Sequence, residues 1–188
     1  MLVTILCSLV FAVAGLAQKA DPMRPDPNMA RPIAARDTVW IEEMTWLEVR
    51  DALKAGKRTV LVPTGGVEQN GPFLAAGKHN YVLRATGEAI ARKLGDALVA
   101  PIVPFVPEGN ISPPSGHMLY PSTISVREDT SQRLLTAIAE SLKQHGFTHV
   151  ILIGDSGGNT KGMAAVAAAL SKRWGAAASI HHIPEYYD

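Results

Sequence analysis

The chain has 188 residues, of which 47% are hydrophobic and 19% are charged, and its formal net charge is +1. This composition can supply one globular core, and so balanced a charge gives no electrostatic reason to expect nucleic acid or an anionic membrane surface as a partner. The sequence therefore predicts a partner that is small or neutral.

The first 42 residues are predicted to lie outside the folded domain. Residues 2–16 are mostly apolar, and Gly15-Leu16-Ala17 places small residues where signal peptidase needs them. We therefore expect a signal peptide over residues 1–17, export to the periplasm or the outside of the cell, and no stable membrane anchor after cleavage. The single cysteine, Cys7, lies in this segment, so the mature chain is expected to contain no disulfide. Residues 18–42 are rich in proline and are predicted to be a linker.

Strand and helix patterns alternate regularly from residue 43 to the end of the chain. Thr45 and Glu48 have the spacing of a capping box that begins a helix, and Gly56 is placed to end it. The predicted strands cover 59–63, 98–103, 149–153 and 177–183, and the later predicted helices cover 81–94, 129–145 and 160–174. This alternation predicts an α/β fold with a mainly parallel sheet.

Polar side chains follow three of these strands, at the sheet edge where α/β proteins bind ligands. Taken singly, each residue would also suit a turn, a helix cap or an ordinary loop histidine. Their shared edge favours one common site. The candidates are Glu68, Gln69, Asn70, His79, Glu108, His117, Asp155, Ser156 and Asn159.

The string Gly154-Asp155-Ser156-Gly157-Gly158 matches the surroundings of the nucleophilic serine in trypsin-like proteases. That serine lies in an antiparallel barrel, whereas this string joins an apolar strand to a helix, which argues against a protease. A GDS-type esterase with Ser156 as nucleophile agrees better with the strand-to-helix turn. Its motif normally begins the domain, however, so the esterase is kept as an alternative.

A longer stretch of the chain resembles the creatininase family. The similar segments are 61–74, which contains Pro63-Thr64-Gly65-Gly66-Val67-Glu68-Gln69-Asn70-Gly71-Pro72, then Gly116-His117-Met118 with 120–125, and finally Gly154-Asp155-Ser156-Gly157-Gly158-Asn159. The resemblance implies a layered α/β/α sandwich with a mainly parallel sheet. It also implies a metal-dependent hydrolase that uses two divalent ions, such as zinc or manganese, to open cyclic amides or cleave related C–N bonds. The expected substrate is a small-molecule amide, and the expected assembly is a homo-oligomer, often a hexamer.

The resemblance is incomplete at the family's metal ligands. Glu68 matches the first glutamate ligand, but Asn70 and Ser156 stand where the family has histidines. His79 stands where the family has the aspartate that bridges both ions. A neutral imidazole cannot neutralise two cations as a bridging carboxylate does, so a two-ion site is not expected.

Two hypotheses follow from these changes. In the first, the site is rebuilt around one zinc or manganese ion, because two carboxylates and an imidazole are a sufficient ligand set. Its ligands would be Glu68, His79 and Asp155, its catalytic residues His117 and Glu108, and its substrate-lining residues Asn70, Ser156 and Asn159. In the second, the domain is a metal-free relic that binds a ligand or serves assembly.

The family resemblance also bears on the extent of the domain. Family members continue beyond the last predicted strand with a segment that contains His-Ala-Gly-Glu-like residues and helps to build the site. We therefore expect residues 43–188 to form a creatininase-like domain that lacks its C-terminal part.

Overall fold

The computed structural model describes residues 21 and 23–187, so the predicted signal peptide and Cys7 lie outside the described residues. The described residues up to Pro32 belong to one unit, and those from Ile33 onward form a second, compact unit. The described part of the first unit consists of turns, in which the side chains of Asp21 and Asp26 accept hydrogen bonds from nearby backbone N–H groups. No helix in the described part of the chain is both long and apolar enough to cross a membrane.

The second unit is built on a parallel sheet of four strands. The strands are β1 (Thr59–Thr64), β2 (Ala97–Val99), β3 (His149–Gly154) and β4 (Ser179–His182), and they lie in the order β2-β1-β3-β4. Every neighbouring pair is parallel, which confirms the predicted α/β fold with a parallel sheet. β2 ends earlier than predicted because Pro101 and Pro104 cannot donate to a continuous ladder.

Four α-helices connect and cover the strands. They are α1 (Trp46–Lys54), α2 (Lys78–Leu94), α3 (Glu128–Gln144) and α4 (Thr160–Trp174). The predicted capping box is present in α1, where the Thr45 hydroxyl accepts from Glu48 N and the Glu48 carboxylate accepts from Thr45 N. α2 begins three residues before the predicted start at residue 81, so His79 lies in its first turn rather than in a loop.

The two faces of the sheet carry separate apolar clusters. Alternate strand residues such as Val60 and Val150 pack against α3 and α4, with α1 at the margin, in the larger cluster. Leu61 and Val99 face the other way and pack with Ala91 of α2. Helices therefore lie on both faces, as in the predicted α/β/α sandwich.

The sequence predicted that the domain starts at residue 43, but residues before 43 already pack into its core. Trp40 is fully buried in the cluster under α2, and its backbone pairs in parallel with Val99 of β2. The last residues of the predicted linker are therefore part of the core.

Candidate active site

The candidate site lies where the strand order reverses. β2 lies on one side of β1 and β3 on the other, so the carboxyl ends of β1 and β3 form the crevice in which open α/β sheets bind ligands. Glu68 comes four residues after β1, and Asp155 directly follows β3. The first turn of α2 adds His79, which contacts both of these residues.

The centre of the site is the His79 ring, which lies between two carboxylates. Its Nδ1 is 2.7 Å from Asp155 Oδ2, and its Nε2 is 2.7 Å from Glu68 Oε1. Both His79 and Glu68 are buried, with 3% and 6% of their surface exposed. The structure thus brings together the three residues that the sequence grouped as metal ligands.

The two contacts use opposite nitrogens of the ring. Lone pairs on Nδ1 and Nε2 of an imidazole point in widely different directions, so one ion bound at either nitrogen faces only one of the two carboxylates. An ion at Nε2 would therefore face Glu68, whereas Asp155 lies on the opposite, Nδ1 side of the ring.

His117 approaches Glu68 from the mouth of the crevice. It lies in a 3-10 turn, Gly116–Leu119, and 41% of its side chain is exposed. Its Nε2 is 3.2 Å from Glu68 Oε2, and its Nδ1 is 3.2 Å from both the backbone oxygen and the side-chain amide nitrogen of Gln69. Glu68 therefore contacts one histidine with each carboxylate oxygen.

Glu108 adds a second buried carboxyl group, with 4% of its surface exposed. Burial raises the pKa of Glu108 to about 9, and a hydrogen bond to Glu68 and the negative charge of Glu68 act in the same direction. Burial would also raise the pKa of Glu68, but hydrogen bonds from Glu108 and His79 outweigh it and hold that pKa below its ordinary value. The two carboxyl groups thus share one proton, which resides on Glu108 at neutral pH.

The other oxygen of Glu108 faces the backbone of Gly66. Within residues 23–187, Glu108 Oε1 is one of three buried side-chain polar atoms without a hydrogen-bond partner. A Cβ at Gly66 would overlap this oxygen in its present position, so a larger residue there would displace the carboxyl group. The glycine at position 66 therefore leaves room for the carboxyl group of Glu108 beside Glu68.

The residues predicted to line the substrate have largely structural contacts. Asn159 donates to the backbone oxygens of Thr64 and Gly65, at 3.1 and 2.8 Å, and so ties α4 to the end of β1. Asn70 donates to the backbone oxygen of Glu68 at 3.0 Å and stabilises the turn that carries the carboxylate. Asn70 also lines a separate pocket beside the cluster, as described below.

Ser156 is buried in the loop after β3, and none of the hydrogen bonds of the described residues joins its hydroxyl to a histidine. A serine nucleophile needs a base within hydrogen-bond reach. We expect no labelling of Ser156 by a fluorophosphonate probe, and we expect Ser156→Ala to keep at least about half of any hydrolytic activity. Mass spectrometry of the labelled protein is the measurement. A probe adduct that disappears in Ser156→Ala would instead favour the esterase.

The sequence placed Gln69 among the candidates at this edge but assigned it no role, and the structure shows that it contacts His117. One contribution to the site, Tyr186, was not among the candidates. Tyr186 bonds to Thr86, and its pKa is raised by burial and additionally by the charge of Asp155. No local pattern in the sequence indicates that the last residues return to the site.

Two buried glutamates, one of them with a strongly raised pKa, lie beside two histidines at the switch point of a parallel sheet, and together they define an α/β protein with an enzyme-like site. Residues 42–187 match the family model for creatininase, described as creatinine amidohydrolase. The chain belongs to the creatininase family.

The relatives differ from this chain in length. The mycofactocin precursor peptide peptidase of Mycolicibacterium smegmatis is 28% identical over 116 residues, which are 59% of this chain and 44% of the relative. A variant creatininase described as the Zn-Zn type has a TM-score of 0.63 at 21% identity, with 79% of this chain and 58% of that chain covered. A manganese form of creatininase has a TM-score of 0.62 at 22% identity, with 78% and 58% covered. The chain thus spans about half the length of these relatives, and the solved structures establish its fold.

Proposed function

We propose that this chain is a metal-dependent hydrolase that cleaves the C–N bond of an uncharged amide, such as a cyclic amide, in a small molecule. The observation that carries the proposal is the cluster of Glu68, His79 and His117, with Asp155 behind the His79 ring. The relatives support the reaction class, because a creatinine amidohydrolase and a peptidase both act on C–N bonds.

The donor groups are of the chemical types that one divalent ion takes as ligands. Glu68 with the Nε2 atoms of His79 and His117 forms a set of two histidines and one carboxylate, which is a ligand set of zinc hydrolases. Asp155 would then accept the Nδ1–H of His79, as carboxylates commonly do behind a metal-bound imidazole. The Gln69 backbone oxygen would do the same for His117.

Ion binding requires a small opening of the cluster. In the described chain these side chains bond to one another, and no group of three or more surrounds a common point at ligand distances. The nitrogens of His79 and His117 are 2.7 and 3.2 Å from the Glu68 oxygens, whereas tetrahedral ligands of zinc lie roughly 3.4 Å apart. The proton between His79 and Glu68 would be released as the ion binds.

This division of roles differs from the ligand set that the sequence suggested. There, Asp155 was a ligand and His117 was catalytic; here, His117 faces Glu68 and Asp155 orients His79. A bound divalent ion polarises a carbonyl group and supplies hydroxide near neutral pH. The protonated carboxyl of Glu108 holds Glu68 in place and keeps its charge available to the two histidines.

A pocket of about 390 Å³ beside the cluster supports an uncharged substrate. Gln69 and Asn70 supply amide groups to its wall, Tyr120 supplies a phenol, and no acidic or basic side chain lines it. Pro72, Leu74 and Pro121 provide apolar surface. A small ring with one or two amide groups has the matching combination of apolar edges and hydrogen-bonding groups.

The test is the metal content of protein purified without chelators. We expect about one equivalent of zinc or manganese by elemental analysis, and a rise in melting temperature when either ion is added to stripped protein. The loaded protein should then hydrolyse members of a panel of neutral cyclic amides. Absence of both bound metal and a thermal shift would contradict the proposed ion site.

A metal-free binding module is the second candidate, and one observation favours it. His79 Nδ1 and Nε2 are both 2.7 Å from carboxylate oxygens, and a doubly protonated ring satisfies both contacts at once. Such an imidazolium would supply the positive charge between the two carboxylates without any ion. Stripped protein that binds a neutral amide as tightly as zinc-treated protein would support this candidate.

Asp155→Asn separates an orienting role from a direct ligand role. Asparagine can still accept the Nδ1–H of His79 but lacks the charge, so we expect metal affinity and activity to fall about ten- to a hundredfold. Competition with a chelator measures the affinity. Asp129→Asn, an exposed carboxylate on α3, is the matched control and should change neither quantity. A complete loss of metal in Asp155→Asn would restore Asp155 as a direct ligand.

Export and assembly are further parts of the proposal. The apolar segment at 2–16 and the small residues before Gln18 support cleavage of a signal peptide, and the family resemblance supports a homo-oligomer. N-terminal sequencing of protein from the native host should find a mature start near Gln18. An intact Met1 in a cytosolic fraction would contradict export.

A further inference from the structure

A second cavity lies at the opposite end of the sheet from the carboxylate and histidine cluster. It has a volume of about 680 Å³ and lies over α1, at the edge where β1 and β3 begin. Arg58 directly precedes β1, and His145 directly follows α3. The residues that line it are Ile41, Met44, Trp46, Val49, Arg50, Leu53, Lys54, Arg58 and His145.

The floor of this cavity is apolar. Ile41, Met44, Val49 and Leu53 are partly buried and pack against the larger core cluster, so the floor is continuous with the core. Trp46 stands at the side with 47% of its surface exposed. Cavities of this size and character accept small organic ligands.

The rim of the cavity is basic. It carries Arg50, Lys54, Arg58 and His145, and no acidic side chain lines it. Arg50 already pairs with Asp51 at 2.7 Å and lies over the Trp46 ring at 5.6 Å. In the part of the chain that the structure describes, no carboxylate lies within ion-pair distance of Lys54 or Arg58.

We propose that this cavity binds a single-chain amphipathic carboxylate, with its alkyl chain on the apolar floor and its carboxylate between Lys54 and Arg58. An apolar ligand without charge would leave both cations without a partner. A bare anion would leave the floor exposed to water. Only a ligand with both parts uses the apolar burial and the charge-assisted hydrogen bonds together.

Trp46 provides a direct measurement of binding. Trp40 and Trp174, the other tryptophans, have 1% and 9% of their surface exposed, so a ligand in this cavity changes chiefly the emission of Trp46. Titration of the full chain with dodecanoate, below its micelle concentration, should give a saturable change in fluorescence. Trp46→Phe should remove that optical change while calorimetry still detects binding.

Charge variants test the position of the carboxylate. Lys54→Ala combined with Arg58→Ala should weaken dodecanoate binding at least about tenfold, because two charge-assisted hydrogen bonds are lost. Lys93→Ala combined with Lys172→Ala removes two exposed cations from α2 and α4 and should leave the affinity unchanged. Dodecanol should bind at least about tenfold more weakly than dodecanoate.

Four outcomes would overturn the proposal. Three are the absence of saturation, equal binding of dodecanol and dodecanoate, and unchanged affinity in the Lys54 and Arg58 double variant. The fourth is binding to anionic vesicles without binding to monomeric dodecanoate, which would replace the ligand site with a membrane contact. None of these outcomes depends on a metal ion or on hydrolysis, so the proposal stands or falls separately from the proposed function.

Discussion

Glu68→Gln is expected to reduce the affinity for a divalent ion at least about a hundredfold and to lower amide hydrolysis to background. Among the described residues, Glu68 is the side chain that bonds to both His79 and His117, at 2.7 and 3.2 Å, and its pKa is held low so that it carries the negative charge. Glutamine keeps the volume but removes that charge from the ligand set. Elemental analysis and competition with a chelator give the metal affinity.

The control for this variant is a carboxylate of the same type away from the site. Glu88→Gln lies on the exposed side of α2, where Glu88 pairs with Arg92, and it should keep wild-type metal content. Circular dichroism of both variants shows whether the fold is retained. Full metal affinity in a folded Glu68→Gln protein would show that the ion is bound by other residues.

The fold was predictable because its signals are local. Short apolar runs bounded by glycine identify the strands, and Gly56, Gly95 and Gly146 adopt the positive φ angles that end α1, α2 and the turn after α3. Errors occur where a local signal is missing. α2 begins at Lys78 after Gly77, which makes no side-chain capping bond, so the sequence contains no cap that marks the start.

The location of the site was predictable, but its internal contacts were not. Glu68 and Asp155 follow two strands, and parallel pairing brings strand ends to one edge wherever they lie in sequence. Which ring nitrogen of His79 faces which carboxylate depends on the rotation of a side chain inside α2. The proton shared by Glu68 and Glu108 joins residues 40 positions apart through two loops, and no periodicity reports such a contact.

Glu108→Gln is expected to stabilise the metal-free protein at alkaline pH. The pKa of Glu108 is about 9 in the folded chain and near 4.5 when unfolded, so between these values the folded state holds a proton that the unfolded state has released. The contribution to stability is therefore complete below about pH 4.5 and is lost as pH rises toward 9. At about 1.4 kcal/mol per pH unit, the wild-type protein should lose about 2 to 4 kcal/mol between pH 5 and pH 8 from this group.

Glutamine at position 108 cannot ionise and can still donate to Glu68, so this loss should be absent in the variant. Urea unfolding of the wild type, Glu108→Gln and Glu88→Gln at pH 5 and pH 8, with a chelator present, measures the difference. The lowered pKa of Glu68 affects stability in a different pH range, because the stability that it contributes is lost only on acidification below about pH 4.5. Equal loss of stability in Glu108→Gln and the wild type would mean that Glu108 is already ionised in the folded chain and that the two carboxyl groups do not share a proton.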